Sequence, residues 1–248
     1  MHSIRPRWTQ AVFVALLGPA LAVAGPTPRQ VLEKADRARG KLPGLVWTVK
    51  MTSVERGRTR VQTLQVKARN EDVLATFVAP PRVKGQKLLM LGRNMWFIKP
   101  GVSRPVPISP RQKLMGQAAN GDIASTNYSG DYDGVFLADD TVDGEPCYVL
   151  DLTARNKKVT YDRIKYWVSK ERLVGVRAEF YTVSGKLFKT AEFEYENRIR
   201  YRGEVIPFVS KMVIRDAIRP SEMTTLEYSD IVVKKLPDST FNLNLLMR

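Results

Sequence analysis

From residue 46 onward the chain alternates apolar and polar side chains with a period of two, the signature of strands with one buried face. The pattern predicts strands near residues 46–53, 58–67, 72–78, 86–92 and 95–99, and again at 147–154, 161–168, 173–182, 187–199, 205–216 and 224–233. Ala191, Phe193 and Tyr195 fall on one face of their strand, opposite Glu192, Glu194 and Glu196. Val174, Val176, Ala178 and Phe180 likewise oppose Arg177, Glu179 and Tyr181. The connections at Gly92-Arg93-Asn94, Ser184-Gly185-Lys186 and Tyr201-Arg202-Gly203 are hairpin-like. About eleven antiparallel strands are therefore expected. A sheet of that size has to curl or split to bury its apolar face.

Two stretches depart from this rhythm. Before the first strand, Thr27-Pro28-Arg29-Gln30 has the form of a capping box with proline at the first helical position. Val31, Leu32, Ala35 and Ala38 then share one helical face, and Gly40 stops the helix. Between the two strand sets, residues 102–140 are interrupted by Pro105, Pro107 and Pro110. Ser109-Pro110 suits the start of a short helix through Leu114 and Met115, and Asn120-Gly121-Asp122 the start of another ahead of Ile123. An insertion this long in a compact domain commonly serves as a lid. Leu114, Met115 and Ile123 are its expected inward contacts.

Composition then removes most enzymatic chemistry. Residues 1–24 read basic, apolar, then small (Ala22-Val23-Ala24), the order of a secretory signal peptide. Residues 25–248 are then expected to form one exported domain. The one histidine, His2, lies in the signal segment, and Cys147 is the one cysteine. Histidine-based triads, histidine-ligated metals and thiolate zinc sites are excluded. Asp131 with Asp133, and Asp139 with Asp140, have the spacing of solvated turn carboxylates, and no glycine-rich phosphate loop is present. No catalytic residue, metal site or cofactor is assigned. The formal charge of +15 favours anionic partners, and export makes nucleic acid the least fitting of them.

What remains is apolar surface. Trp47, Leu89, Leu91, Trp96, Ile98, Trp167, Phe180, Phe193 and Tyr195 are the residues expected to face the interior of the curled sheet. Such aromatics are commonly plain core. A barrel too large to be filled by its own side chains can instead hold a ligand. An acyl chain of ~16 carbons gains on the order of 10 kcal/mol on leaving water.

The order of parts, and in particular the stretch Lys87-Leu88-Leu89-Met90-Leu91-Gly92-Arg93-Asn94-Met95-Trp96-Phe97-Ile98-Lys99-Pro100-Gly101, resembles the outer-membrane lipoprotein-sorting (LolA-like) superfamily, in its uncharacterised branch. Arg104-Pro105-Val106-Pro107, Leu114-Met115-Gly116-Gln117 and Asn127-Tyr128 continue the resemblance. It implies a mainly β fold, an unclosed antiparallel half-barrel with helices over the concave face. It also implies a periplasmic carrier of lipoprotein acyl chains or another lipid, working between inner- and outer-membrane proteins, with no lipid-attachment cysteine of its own. A monomer is the expected state. Arg93 and Arg104 are expected at an anionic headgroup rim, with Trp96 facing the cavity. The alternative is a periplasmic sensor or adaptor that partners a membrane exporter.

Overall fold

The computed structural model describes residues 25–124 and 126–247, so the expected signal segment lies outside the described residues. Helix α1 (Pro28–Arg37) begins as its sequence requires: the Thr27 hydroxyl accepts from the Gln30 N–H, and the Gln30 side chain accepts from the Thr27 N–H at 2.8 Å. Six strands follow, β1 (Leu45–Glu55), β2 (Arg58–Arg69), β3 (Asp72–Ala79), β4 (Lys87–Leu91), β5 (Asn94–Ile98) and β6 (Val106–Ile108). A cover segment comes next. It contains a small ribbon of β7 (Lys113–Met115) and β8 (Ala118–Ala119), a 3-10 turn at Asn120–Ile123 and the short helix α2 (Tyr128–Asp131). The second strand set is β9 (Tyr132–Phe136), β10 (Asp140–Val142), β11 (Glu145–Ala154), β12 (Arg163–Ser169), β13 (Gly175–Tyr181), β14 (Leu187–Glu194), β15 (Asn197–Tyr201), β16 (Glu204–Phe208), β17 (Lys211–Asp216) and β18 (Met223–Val233). The last helix, α3 (Leu243–Leu246), closes a C-terminal segment.

Fourteen strands form one antiparallel sheet in the order β10-β11-β12-β13-β14-β17-β18-β1-β2-β3-β4-β5-β6, with β9 also on β11. The two halves join where β1 pairs with β18, from Leu45 opposite Val233 to Val54 opposite Met223. The ends, β10 and β6, do not pair, so the sheet is an unclosed half-barrel. Helix α1 and the cover segment pack on its concave side, where Val31, Leu32, Ala35, Met115 and Ile123 join one continuous core with Trp47, Val66, Leu150 and Phe180.

Three expectations need correction. The strand expected over 187–199 is two strands, and so is the one over 205–216. At Glu196 the chain leaves the sheet, and β15 pairs with β16 as a separate hairpin. Ile199, Ile206 and Phe208 stay buried on that hairpin, so the period of two runs through the break and does not reveal it. Residues 102–140 are not all insertion: β6, β9 and β10 belong to the sheet, and Pro107 is tolerated because β6 is an edge strand. The cover proper is residues 109–131, and Leu114 and Met115 sit on β7 instead of a helix.

The sheet also buries apolar residues on its convex side. Leu74, Leu89 and Trp96 lie opposite one another across β3, β4 and β5. With Leu91 and Ile98 they form a second cluster under Leu236, Phe241, Leu243, Leu246 and Met247 of the C-terminal segment. Arg69 holds that segment down. Its guanidinium lies 5.0 Å from the Phe241 ring centroid and pairs with Asp238 at 2.5 Å. Leu89 is fully buried, so Leu89→Ala is expected to cost about 2–5 kcal/mol. Phe241→Ala is expected to be non-additive with it, because both empty the same cluster. Urea denaturation of the two single variants and the double variant checks this, and additive losses would show that the segment does not seal the convex face.

Candidate functional site

The concave face divides the sequence-expected residues. Trp47, Phe180, Phe193 and Tyr195 lie on it, all nearly fully buried, as do Met115 and Ile123 of the cover and the half-buried Leu114. Trp47 meets the Phe208 ring edge-on at 5.8 Å, and Phe180 stacks on Tyr161 at 3.8 Å. Leu89, Leu91, Trp96 and Ile98 are not on this face; they form the convex cluster, while their neighbours Leu88, Met90, Met95 and Phe97 point into the concavity. Trp167 is also on the far side of its strand from Tyr166. Its indole N–H donates to Asp140 at 3.0 Å, and Lys165 and Arg177 lie over its ring. Arg93 is tied to Asp131 of α2 at 2.6 Å, and Arg104 is exposed on the loop before β6. A cluster of basic residues lies elsewhere, in an open groove of about 1100 Å³ lined by Arg56, Arg58, Arg60, Lys113 and Arg219, with Glu55 and Glu222 paired among them.

Polar contacts hold the cover over this apolar face. Asp36, on the buried side of α1, accepts from the Tyr128 N–H at 2.9 Å, from the Ser129 N–H at 2.9 Å and from the Ser129 hydroxyl at 2.7 Å. Lys41 adds an ion pair to Asp36 at 3.8 Å and donates to Ser129 and Asn127. In the 3-10 turn, Asp122 accepts from the Ala119 N–H and from the Tyr161 hydroxyl, both at 2.8 Å. Lys189 of β14 donates to the Gln117 carbonyl at 2.5 Å, and Arg111 pairs with Asp162 at 2.6 Å. Burial pushes the Asp36 carboxyl up to about 6, against the lowering pull of its donors and of Lys41. Burial also raises Asp122.

Side chains and cover fill the concavity almost completely. A void of about 60 Å³ remains, bordered by Arg39, Met90, Asp122, Tyr128, Tyr132 and Tyr161. Pockets for small molecules run to roughly 300–1000 Å³. The void therefore holds a few waters or a small group, and a longer ligand needs the cover to move. Among the described residues, no group of three or more histidine, cysteine, aspartate or glutamate side chains is placed to hold a metal ion. No helix there is long and apolar enough to cross a membrane.

Among solved structures, a LolA superfamily protein from Nitrosomonas europaea is 36% identical to this chain, with a TM-score of 0.79, covering 89% of this chain and 99% of its own. This chain belongs to the LolA superfamily. A family model described as an uncharacterized protein matches residues 69–248. Two more distant structures share the LolA-like fold. One is an outer membrane lipoprotein-sorting protein domain from Vibrio parahaemolyticus, at 21% identity and a TM-score of 0.76, covering 89% of this chain and 98% of its own. The other is a DUF1329 family protein from Desulfovibrio piger, at 23% identity and a TM-score of 0.73, covering 88% and 97%. No curated protein matches the chain.

In this LolA-superfamily chain, sequence reading missed the buried polar set of Asp36, Arg39, Asp122, Tyr128, Tyr161 and Tyr166. Asp36 and Arg39 carry a faint signal. They interrupt the apolar face formed by Val31, Leu32, Ala35 and Ala38, where a solvated charge has no place. The raised Asp36 carboxyl has a consequence for stability. The folded protein holds this proton at pH values where the unfolded chain, near 3.8, has released it. Stability from this group is thus full below about pH 4 and is lost as pH rises to about 6, a change of about 3 kcal/mol. Asp36→Asn is expected to flatten that part of the profile in urea titrations from pH 4 to 7, and an unchanged slope would remove Asp36 as its source.

Proposed function

We propose that this protein is a periplasmic carrier that takes the acyl chains of a lipoprotein or another lipid against its concave face, beneath the cover segment, and delivers them toward the outer membrane. The observation that carries this reading is a large apolar concavity closed by a segment that lies outside the sheet and is fastened by buried polar contacts as well as by apolar ones. Each such hydrogen bond contributes about 0.5–1.5 kcal/mol net. An acyl chain of ~16 carbons leaving water contributes on the order of 10 kcal/mol. Burial of the acyl chain thus offsets loss of the cover's hydrogen bonds, and its contacts replace those of Met115, Ile123 and Tyr128 with the concave face.

On this reading residues 1–24 are a cleaved export signal and residues 25–248 work as one lipid-binding domain, as a monomer. Trp47, Phe180, Phe193, Tyr195, Leu114, Met115 and Ile123 contact cargo. The protein acts by binding and not by catalysis, and its partners are the inner- and outer-membrane proteins that load and receive the cargo. The name carried by the Vibrio parahaemolyticus domain supports the sorting role by likeness of fold. One observation favours a second reading. Val135 and Leu137 on one side of the β9 edge and Phe136 on the other are 58%, 42% and 39% exposed, an apolar strip along an edge strand of the kind that meets a protein partner. Such a strip suits an adaptor to a membrane exporter.

Native mass spectrometry of the mature protein from a periplasmic extract, followed by organic extraction, separates the two. Stoichiometric phospholipid, lipid A or acylated peptide is the result expected of a carrier. A mass equal to that of the chain alone, unchanged after incubation with lipids, would leave the adaptor reading standing.

A further inference from the structure

Arg39 follows α1 and is 8% exposed on the concave side. Its guanidinium lies 4.5 Å from the Phe193 ring centroid and 5.5 Å from that of Tyr128. Its Nη2 reaches the Met212 sulfur at 3.8 Å, a weak acceptor, and its Nη1 makes no well-formed hydrogen bond, with the Tyr128 and Tyr166 hydroxyls its nearest polar neighbours. The two buried carboxylates nearby do not supply one. Asp36 is satisfied by Tyr128, Ser129 and Lys41, and Asp122 by Ala119 and Tyr161. A buried cation left with a thioether and neutral hydroxyls and no carboxylate is costly.

The imbalance extends along the face. Trp47 Nε1 and Tyr166 Oη are also buried without a partner, and Tyr228 reaches no better acceptor than the Met212 sulfur at 4.0 Å. Arg39 Nη1 and Trp47 Nε1 can only donate, while Tyr166 Oη can donate or accept. The concave face therefore has spare donors in its interior, and its missing complement is an acceptor. The void of about 60 Å³ borders Arg39. That volume takes a carboxylate or a phosphate and is too small for a glycerophospholipid headgroup.

We propose that Arg39 receives the anionic head of a single-chain amphiphile, a carboxylate or a phosphate monoester, so that cargo enters head first and its chain lies along the concave face where the cover now rests. The proposal rests on the carrier reading and names the class of cargo. A guanidinium suits this role because its planar fork matches an oxyanion in a bidentate arrangement. Three carboxylates border the same void: Asp131 is paired with Arg93, Glu71 accepts from Asn127, and Asp122 accepts from Ala119 and Tyr161.

The test is calorimetric titration of the mature protein with dodecanoate below its micelle concentration. Dodecanol serves as the neutral ligand of equal chain length, and acetate and inorganic phosphate as heads without a chain. Dodecanoate is expected to bind about tenfold or more tighter than dodecanol, with acetate and phosphate far weaker. Arg39→Met is expected to bring dodecanoate down to the level of dodecanol, and Arg39→Lys to keep part of the difference. Circular dichroism checks the fold of both variants, and the wild-type comparison of dodecanoate with dodecanol needs no variant. Equal binding of the two by the wild type, or full discrimination by a folded Arg39→Met protein, would overturn the proposal while leaving the carrier reading intact. Binding of acetate or phosphate as tight as that of dodecanoate would reduce the site to one for small anions and overturn it as well. Binding of neither chain would bring down the proposal together with the carrier reading.

Discussion

An open antiparallel sheet of fourteen strands cannot bury its concave apolar face against itself, and every other feature of the molecule answers that constraint. Closing into a barrel would remove the problem, but β10 and β6 remain apart. The face is instead covered by three pieces of chain that lie outside the sheet: α1, residues 109–131 and the β15–β16 hairpin. Of these, α1 contributes Val31, Leu32 and Ala35, the hairpin contributes Ile199, Ile206 and Phe208, and the central cover contributes Met115, Ala118, Ile123 and Tyr128 together with most of the buried polar anchoring.

That division of labour sets where the structure can give way. The β1–β18 junction, with nine residue pairs from Leu45 to Val54, ties the two halves of the sheet together. On the convex side, the C-terminal segment seals Leu89 and Trp96 with apolar contacts. The central cover depends on a few buried charges. Asp36 and Asp122 accept its backbone and hydroxyl donors, and Lys41 and Lys189 brace it. Charges in such places gain little over apolar packing, because desolvation offsets their attraction. They do make attachment directional and reversible. A ligand that displaces the cover has to replace those contacts, and Arg39, whose Nη1 lacks a partner, marks a place for a polar part of it.

The sequence made the architecture legible and the orientation of one hairpin illegible. Alternation located nearly every long strand, and the Thr27–Gln30 box located α1. It failed at Leu88-Leu89-Met90-Leu91 and Met95-Trp96-Phe97-Ile98 for a definite reason. Both faces of β4 and β5 are buried, one by the concave core and one by the C-terminal segment, so both parities are apolar and the period carries no direction. Only register with Val73 and Ala75 decides it, and that places Trp96 outside the concavity. Trp167 was misplaced by a related effect: flanking Lys165 and Arg177 cover an outward ring well enough to leave it 2% exposed. The buried polar set was hidden because its members lie far apart in sequence and meet only through the cover.

Amide hydrogen exchange across residues 109–131, with and without a saturating acyl ligand, tests most directly whether the cover is the movable part. If cargo takes its place, amides of Tyr128 and Ser129 lose protection on binding, while β1 and β18 stay as protected as before. If ligand binds and those amides keep their protection, with the C-terminal segment over Leu89 and Trp96 opening instead, the concave face is ordinary core and the binding surface lies on the other side of the sheet.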